Sequence, residues 1–410
     1  MSELWPLLAR QPIFNRKMQV VAYELLCRNY DIDFTSPEGG DTASSQVLLH
    51  TFTDLSIQSV VGKHQAFINF TRTLLLAPPP FHQDQLVIEV LEGQKVDAQM
   101  LHSLKRLREK GYTIALDDFE LTEETRGLIP YADIIKLDVL QLSTEQIIEH
   151  VEHLKSFGIT LVAEKVETYE MLEFCKSLGF DLFQGYFLAR PKIIKGRKIT
   201  ENKQAVLQLL SVMHNPDVHL DEVERLIAHD PMLSYKLLRL VNSAAFALPR
   251  TIDSLRQAIA LLGLDIIKNW INLLAMANMG DKPLELSIAA LTRARMCAAI
   301  ATAINGKSRS DSFFTVGLLS TLDAFMDAPL EILLKNLSLN KNLNEALLEH
   351  SGDEGRVLEI VEHYEKADWE KIDWEYLSQN NITPDTLTHI YLDAISWVSN
   401  TVETLGVTVK

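Results

Sequence analysis

The sequence predicts an α/β half followed by an all-α half: an N-terminal (β/α) barrel of the TIM type, then a helical domain. Three observations predict it. From residue 18 to about 190, short continuous apolar runs alternate with amphipathic helical segments, the pattern of buried parallel strands covered by helices. At least six such units within 200 residues favour a closed barrel over an open doubly wound sheet, whose glycine-rich phosphate loop has no counterpart after the first run. Beyond residue 202 the apolar spacing turns helical.

The β-type runs are MQVVAYELL, QAFINF, QLVIEVLE, TIALDDF, IIKLDV, TLVAEKVE and LFQGYF, with helical segments at Asp97–Lys110, Thr144–Phe157 and Tyr169–Leu178 between several of them. TIALDDF, residues 113–119, is the centre: an apolar strand that ends in two carboxylates. Taken alone, such a pair reads more simply as a turn or helix cap. An ideal strand sends neighbouring side chains to opposite faces, and a bend at its end lets both meet cations. Similar polar tips recur, however. Glu24, Asn69, Glu89, Asp117, Asp118, Lys136, Glu164 and Gln184 all lie in or at the ends of these runs. In a barrel, those tips converge at the C-terminal mouth. Carboxylates gathered there repel one another unless cations stand among them, which calls for metal. An oxygen donor set without histidine or cysteine suits Mg²⁺ or Mn²⁺ better than Zn²⁺. Two such ions suit phosphodiester hydrolysis, with Lys136 orienting water or steadying developing charge.

The 410 residues, 47% hydrophobic and 23% charged, allow two or three globular domains. A net charge of −16 and a pI near 5.2 argue against broad nucleic-acid binding, which needs a basic surface. A small anionic ligand stays compatible, because bound cations invert the local field. Cys27, Cys175 and Cys297 show no metal-ligand spacing and read as free thiols of a reducing cytoplasm. Glu3, Pro6 and Arg10 interrupt any leader-like start, and apolar stretches such as Trp270–Met279 are too short and polar to cross a bilayer. The expectation is a soluble, cytoplasmic protein with no membrane partner.

Residues 192–202 form a basic connector, so domains are expected at 1–196 and 197–410. Helical spacing follows over 202–213, 220–229, 231–242, 254–262 and 265–277. Asp230-Pro231 and Asp253-Ser254 read as helix starts. His229-Asp230 has the form of a metal-ligand pair, but the cap explains Asp230 better and no second histidine cluster lies at suitable spacing. Asp368–Gln379 reads as a polar, Trp-bearing helical tail.

Seven motifs in order over residues 8–192 resemble the EAL domain, the family that hydrolyses cyclic di-GMP to a linear dinucleotide. They are Glu24-Leu25-Leu26-Cys27-Arg28, Phe67-Ile68-Asn69, Ile88-Glu89-Val90-Leu91-Glu92, Asp117-Asp118-Phe119, Lys136-Leu137-Asp138, Ala163-Glu164-Lys165-Val166-Glu167 and Gln184-Gly185-Tyr186. The resemblance implies that Glu24, Asn69, Glu89 and Asp117 hold one metal, and that Asp117, Asp118 and Glu164 surround a second. It implies that Lys136 and Glu164 activate water, Arg28 meets a ligand phosphate, Glu167 and Gln184 line the site, and Glu92 anchors the loop after Asp118. Dimerisation through the barrel is a further implication. Two departures stand out. Glu120-Leu121-Thr122-Glu123-Glu124 replaces the family's Gly-Thr-Gly type loop, whose glycines allow turns these residues resist. Lys165 replaces the glycine beside Glu164, where an ammonium would neutralise Glu164, occupy a cation position, or simply point outward.

In the second half, the run from Asp230 to Trp270 resembles the HDOD domain, a helical relative of the HD phosphohydrolases without their metal residues. Gly317-Leu318-Leu319-Ser320-Thr321 stands where those enzymes carry His-Asp. That implies a non-catalytic output module that binds a protein partner. Three readings follow for the barrel: it hydrolyses cyclic di-GMP, binds it without turnover, or serves as a protein scaffold.

Overall fold

The computed structural model describes residues 7–28, 57–78, 83–190, 201–215, 223, 231–242, 252, 254–277, 282–306, 310–337 and 339–405. The chain divides into two compact units, Met1–Phe187 and Leu188–Lys410. The connector expected at 192–202 lies, up to residue 200, outside the described residues.

In the first unit β1 (Leu7–Asn15), β2 (Val20–Arg28), β3 (Gln65–Phe70), β4 (Leu86–Val90), β5 (Thr113–Leu116), β6 (Ile134–Asp138), β7 (Thr160–Glu164) and β8 (Leu182–Gln184) close into a barrel in chain order. Neighbours from β2 to β8 run parallel, whereas β1 is antiparallel to both β2 and β8. The sequence runs missed β1, because Arg10, Gln11 and Pro12 interrupt its apolar pattern. Pro12 is tolerated there because β8 pairs only with Ile13–Asn15, just past the position that lacks an N–H.

The described helices of this unit are α1 (Ile57–Val61), α2 (Arg72–Leu76), α3 (Ala98–Glu109), α4 (Thr144–Lys155) and α5 (Tyr169–Leu178). Their starts follow from local chemistry. Asp97 accepts the Met100 N–H at 3.0 Å and pairs with Arg72 at 2.7 Å, Ser143 and Gln146 form a reciprocal capping box, and Thr168 caps α5. Each of the three longer helices turns its apolar stripe inward: Met100, Leu104 and Leu107 in α3, Ile147, Val151 and Leu154 in α4, Leu172 and Cys175 in α5.

The barrel interior is layered. Ile13, Ala22, Phe67, Val87, Ala115, Ile134 and Val162, one residue from each of β1 to β7, form an apolar plug with Leu182 of β8 packed against it. Two residues farther along the parallel strands stand Glu24, Asn69, Glu89, Asp117, Lys136, Glu164 and Gln184. Antiparallel β1 reaches the same side two residues earlier, at Gln11, which registers opposite Glu24. Side chains alternate along a strand, so these positions repeat the inward face of the plug one pleat nearer the mouth. Gly185 completes the rim of β8: its φ is +150°, and a Cβ there would stand 2.0 Å from the Val166 carbonyl oxygen.

The second unit is helical among its described residues: α6 (Glu201–His214), α7 (Pro231–Val241), α8 (Leu255–Leu262), α9 (Leu264–Ala277), α10 (Leu284–Asn305), α11 (Ser310–Leu319), α12 (Leu322–Met326), α13 (Leu330–Leu334), α14 (Lys341–Glu349), α15 (Gly352–Glu365), α16 (Trp374–Gln379) and α17 (Pro384–Leu405). Ser254 caps α8 by accepting the Gln257 N–H, and α7 begins at Pro231. His229-Asp230, and the helix expected at 220–229 apart from Val223, lie outside the described residues. The expected polar tail is a 3-10 turn at Trp369–Lys371 followed by α16, with Trp369 buried. Beyond it the sequence reading left α17 out. Trp397 of α17 packs 5.5 Å from Trp270 of α9, ring centre to ring centre. One helix, Leu284–Ile304, is apolar and long enough to cross a membrane by length and composition, a stretch the sequence reading passed over; most of it is buried inside the unit.

Candidate functional site

The polar layer closes around Lys136, whose side chain is only 1% exposed. Its Nζ donates to Glu24 Oε2 at 3.1 Å and to Asp117 Oδ1 at 2.7 Å, and stands 2.6 Å from Glu89 Oε1 and 2.7 Å from Glu164 Oε1. An ammonium has three N–H donors, so it cannot serve four carboxylates equally. Glu89 shows the shortfall: both its oxygens are buried without hydrogen-bond geometry to any described residue. Asn69, in register with Glu89 on the neighbouring strand, has a buried Oδ1 in the same condition.

The ligand atoms of Glu24, Glu89 and Asp117 lie within 4.8 Å of one another, a spacing that could hold a metal ion. With the Asn69 oxygen beside Glu89, the donor set is all oxygen, as a hard divalent cation requires. The residues present therefore fit Mg²⁺ or Mn²⁺.

Electrostatics follow from burial. Removal from water, reinforced by the Glu24 charge, holds Glu89 well above the usual carboxylate range. Burial pushes Glu164 up to about 8, against the opposing pull of Lys136. Burial alone would lower Lys136, but Glu24, Glu89, Glu164 and Asp117 outweigh it and hold the ammonium well above its ordinary value.

The other residues singled out in the sequence take varied places. Gln184 Nε2 donates to Glu24 Oε2 at 2.5 Å and to Gln11 Oε1 at 2.9 Å, so Gln11 belongs to the site although the sequence reading did not name it. Its signal was its place beside Pro12 in the overlooked strand. Asp118 does not join Asp117. Its backbone is left-handed, φ +40°, and its carboxylate stands 3.7 Å from Lys165 Nζ, with Oδ1 buried and without a hydrogen-bond partner among the described residues. Lys165 turns to Asp138 Oδ2 at 2.5 Å. Arg28 ends β2 and Glu167 follows β7, both half-buried.

Glu92 is exposed and makes no hydrogen bond to the loop after Asp118 among the described residues. That loop is held otherwise. Thr125 Oγ1 donates to the Glu120 carbonyl at 2.5 Å and accepts the Thr122 N–H at 2.9 Å, while His150 Nε2 of α4 accepts the Leu121 N–H at 3.0 Å.

In the helical unit, Ser320 and Thr321 are engaged at the end of α11. Ser320 Oγ donates to the Gly317 carbonyl and accepts from Arg293 Nη1 at 2.9 Å, and Thr321 Oγ1 donates to the Leu318 carbonyl. Arg293, buried in α10, also pairs with Glu365 at 2.7 Å and Glu362 at 3.2 Å.

An acid-mouthed barrel that begins with an antiparallel strand, followed in the chain by a unit that is helical among its described residues, defines the class. The chain belongs to the EAL family, in the group that carries an HDOD domain: residues 41–191 match the EAL domain and residues 200–330 the HDOD domain. YuxH of Bacillus subtilis is 32% identical over 406 residues, spanning 96% of this chain and 98% of YuxH. The cyclic di-GMP phosphodiesterase CdgJ of Vibrio cholerae is 34% identical over 367 residues, 88% of this chain and 85% of CdgJ. BlrP1 of Klebsiella pneumoniae, solved as a manganese and cyclic di-GMP complex, is 27% identical over 45% of this chain and 56% of that one, with a TM-score of 0.36.

Proposed function

We propose that the barrel binds cyclic di-GMP with Mg²⁺ or Mn²⁺ held by Glu24, Asn69, Glu89 and Asp117, and cleaves one phosphodiester bond to give the linear dinucleotide. One observation carries this reading: Glu24, Glu89 and Asp117 offer ligand atoms within 4.8 Å of one another, in a layer with more buried acceptors than Lys136 can satisfy. The likeness to CdgJ, over both halves of the chain, supports the choice of ligand.

When bound, the divalent ion supplies charge stabilisation at the phosphoryl group and readies water for attack. The chain's own residues do the rest. Lys136 keeps Glu164 within 2.7 Å, and Glu164, with its raised proton affinity, takes the proton of the attacking water. Gln184, steadied by Gln11, fixes Glu24 Oε2. Arg28 meets a ligand phosphate at the rim and Glu167 lines the mouth.

A second reading, binding without turnover, is favoured by one feature: Glu120–Glu124 replaces a glycine loop and is tied to α4 through His150. In both readings the helical half acts without catalysis, as a docking module for a protein partner, and the protein works in the cytoplasm with its three cysteines reduced.

The test is to incubate the purified full chain with cyclic di-GMP and Mg²⁺ or Mn²⁺. Linear product that disappears in Glu24→Ala supports hydrolysis. Binding without product selects the second reading, and the absence of both leaves the scaffold.

A further inference from the structure

The acidic groups of the mouth fall into two sets, each with its own lysine. Glu24, Glu89, Asp117 and Glu164 surround Lys136, whereas Asp118 and Asp138 share Lys165, which stands 3.7 Å from one and 2.5 Å from the other. The second arrangement is built rather than casual. Asp138 is a buried carboxylate whose Oδ1 already accepts the Leu140 and Gln141 N–H groups, leaving Oδ2 for the ammonium.

Both Lys165 and Asp118 reach this pairing from left-handed backbone, φ +54° and +40°, a conformation that favours glycine. Lys165 is thus kept in an unfavourable backbone state, and its ammonium is where the two carboxylates need a positive charge. Removing the ammonium would leave Asp118, with its buried Oδ1, and Asp138 exposed to each other's charge beside Asp117, a donor set that a cation would relieve.

We propose that Lys165 serves as a fixed second cation, so that the mouth takes one divalent ion, at Glu24, Asn69, Glu89 and Asp117, where two would otherwise bind. The proposal rests on the metal reading given above. It makes the ammonium a positioning group that holds Asp118 and Asp138 apart from the ion.

The test is metal stoichiometry. Mn²⁺ is titrated into the full chain and the free ion is followed by its electron paramagnetic resonance signal, for the parent protein, Lys165→Gly and Lys165→Met. Glycine removes both the charge and the backbone strain; methionine removes the charge alone and keeps the side-chain bulk.

The expected result is one Mn²⁺ per chain in the parent and two in each variant. Two ions in the parent, one of them lost in Glu24→Ala, would overturn the role of Lys165 while leaving the metal reading in place. A count of one in both variants would overturn it as well. No Mn²⁺ in any of the proteins would remove the metal reading and this proposal together.

Discussion

Asp117 and Asp118 are neighbours in the chain but serve different lysines. Asp117 Oδ1 accepts from Lys136 Nζ at 2.7 Å inside the barrel, while Asp118 turns through a left-handed backbone toward Lys165, 3.7 Å away. The strand ends at Leu116, and although the Asp117 and Phe119 N–H groups still bond Val90 and Lys136 of the flanking strands, the left-handed turn at Asp118 decides the face its side chain takes. The acid-rich mouth is therefore partly neutralised from within.

Lys136→Met should expose how much that neutralisation matters. It leaves Glu24, Glu89, Asp117 and Glu164 facing one another with no internal cation. Loss of one partner of a buried ion pair costs about 3–5 kcal/mol. Urea unfolding followed by circular dichroism should show a loss of that order, with part of it restored by millimolar Mn²⁺. An unchanged unfolding midpoint would contradict the account of the layer.

His150→Ala should loosen the loop after Asp118 and little else. His150 Nε2 accepts the Leu121 N–H while Nδ1 donates to the Gln146 carbonyl at 2.7 Å, which fixes the ring in the loop's path. One lost hydrogen bond is worth about 1 kcal/mol. Hydrogen exchange at the Leu121 amide should speed up several-fold, with strand amides of β5 and β6 unchanged.

Arg293→Met tests the core of the helical half. It removes the guanidinium that Glu362 and Glu365 both pair with, and Ser320 loses its donor at the same time. Removing one partner of a buried ion pair costs about 3–5 kcal/mol, and a loss of that order is expected. Thermal melts should show it in the helical unit while the barrel transition stays in place.

Stability of that unit should depend on pH in a defined direction. Although burial works to raise it, Glu362 is held down at about 2 by His350, 3.4 Å away, and by Arg293. Its contribution is present above the ordinary carboxylate range and is lost as pH falls toward about 2. His350 is shifted upward from its ordinary 6.5, chiefly by the Glu362 carboxylate beside it. That contribution is complete below 6.5 and fades as pH rises through the elevated value. Chemical unfolding at several pH values should give a maximum between about 4.5 and 6.5 for this pair, and His350→Ala should flatten the alkaline side.

Much of the barrel was legible because parallel strands buried on both faces read as continuous apolar runs, and QLVIEV, TIAL and TLVAE are of that kind. The inward polar layer was legible for the same reason, since each member interrupts such a run. β1 was not, because an antiparallel strand carrying Arg10, Gln11 and Pro12 loses the apolar signal, and Gln11 was missed with it. The facing of Lys165 depends on a positive φ that no periodicity encodes. Arg293 left a faint mark, a charged residue in a long apolar helix, which is how buried ion pairs show themselves in sequence. The fixed ring of His150 left none, because the pattern of α4 allows a histidine on either face.

The central claim is that Glu24, Asn69, Glu89 and Asp117 share one divalent ion at which the cyclic dinucleotide binds. It is tested most directly by calorimetric titration of cyclic di-GMP into the full chain with Mn²⁺, repeated with chelator and with Glu24→Ala. The account predicts saturable binding at one site per barrel, abolished by the chelator and weakened at least tenfold by the substitution. Binding of equal strength in all three titrations, or no binding in the first, would contradict it.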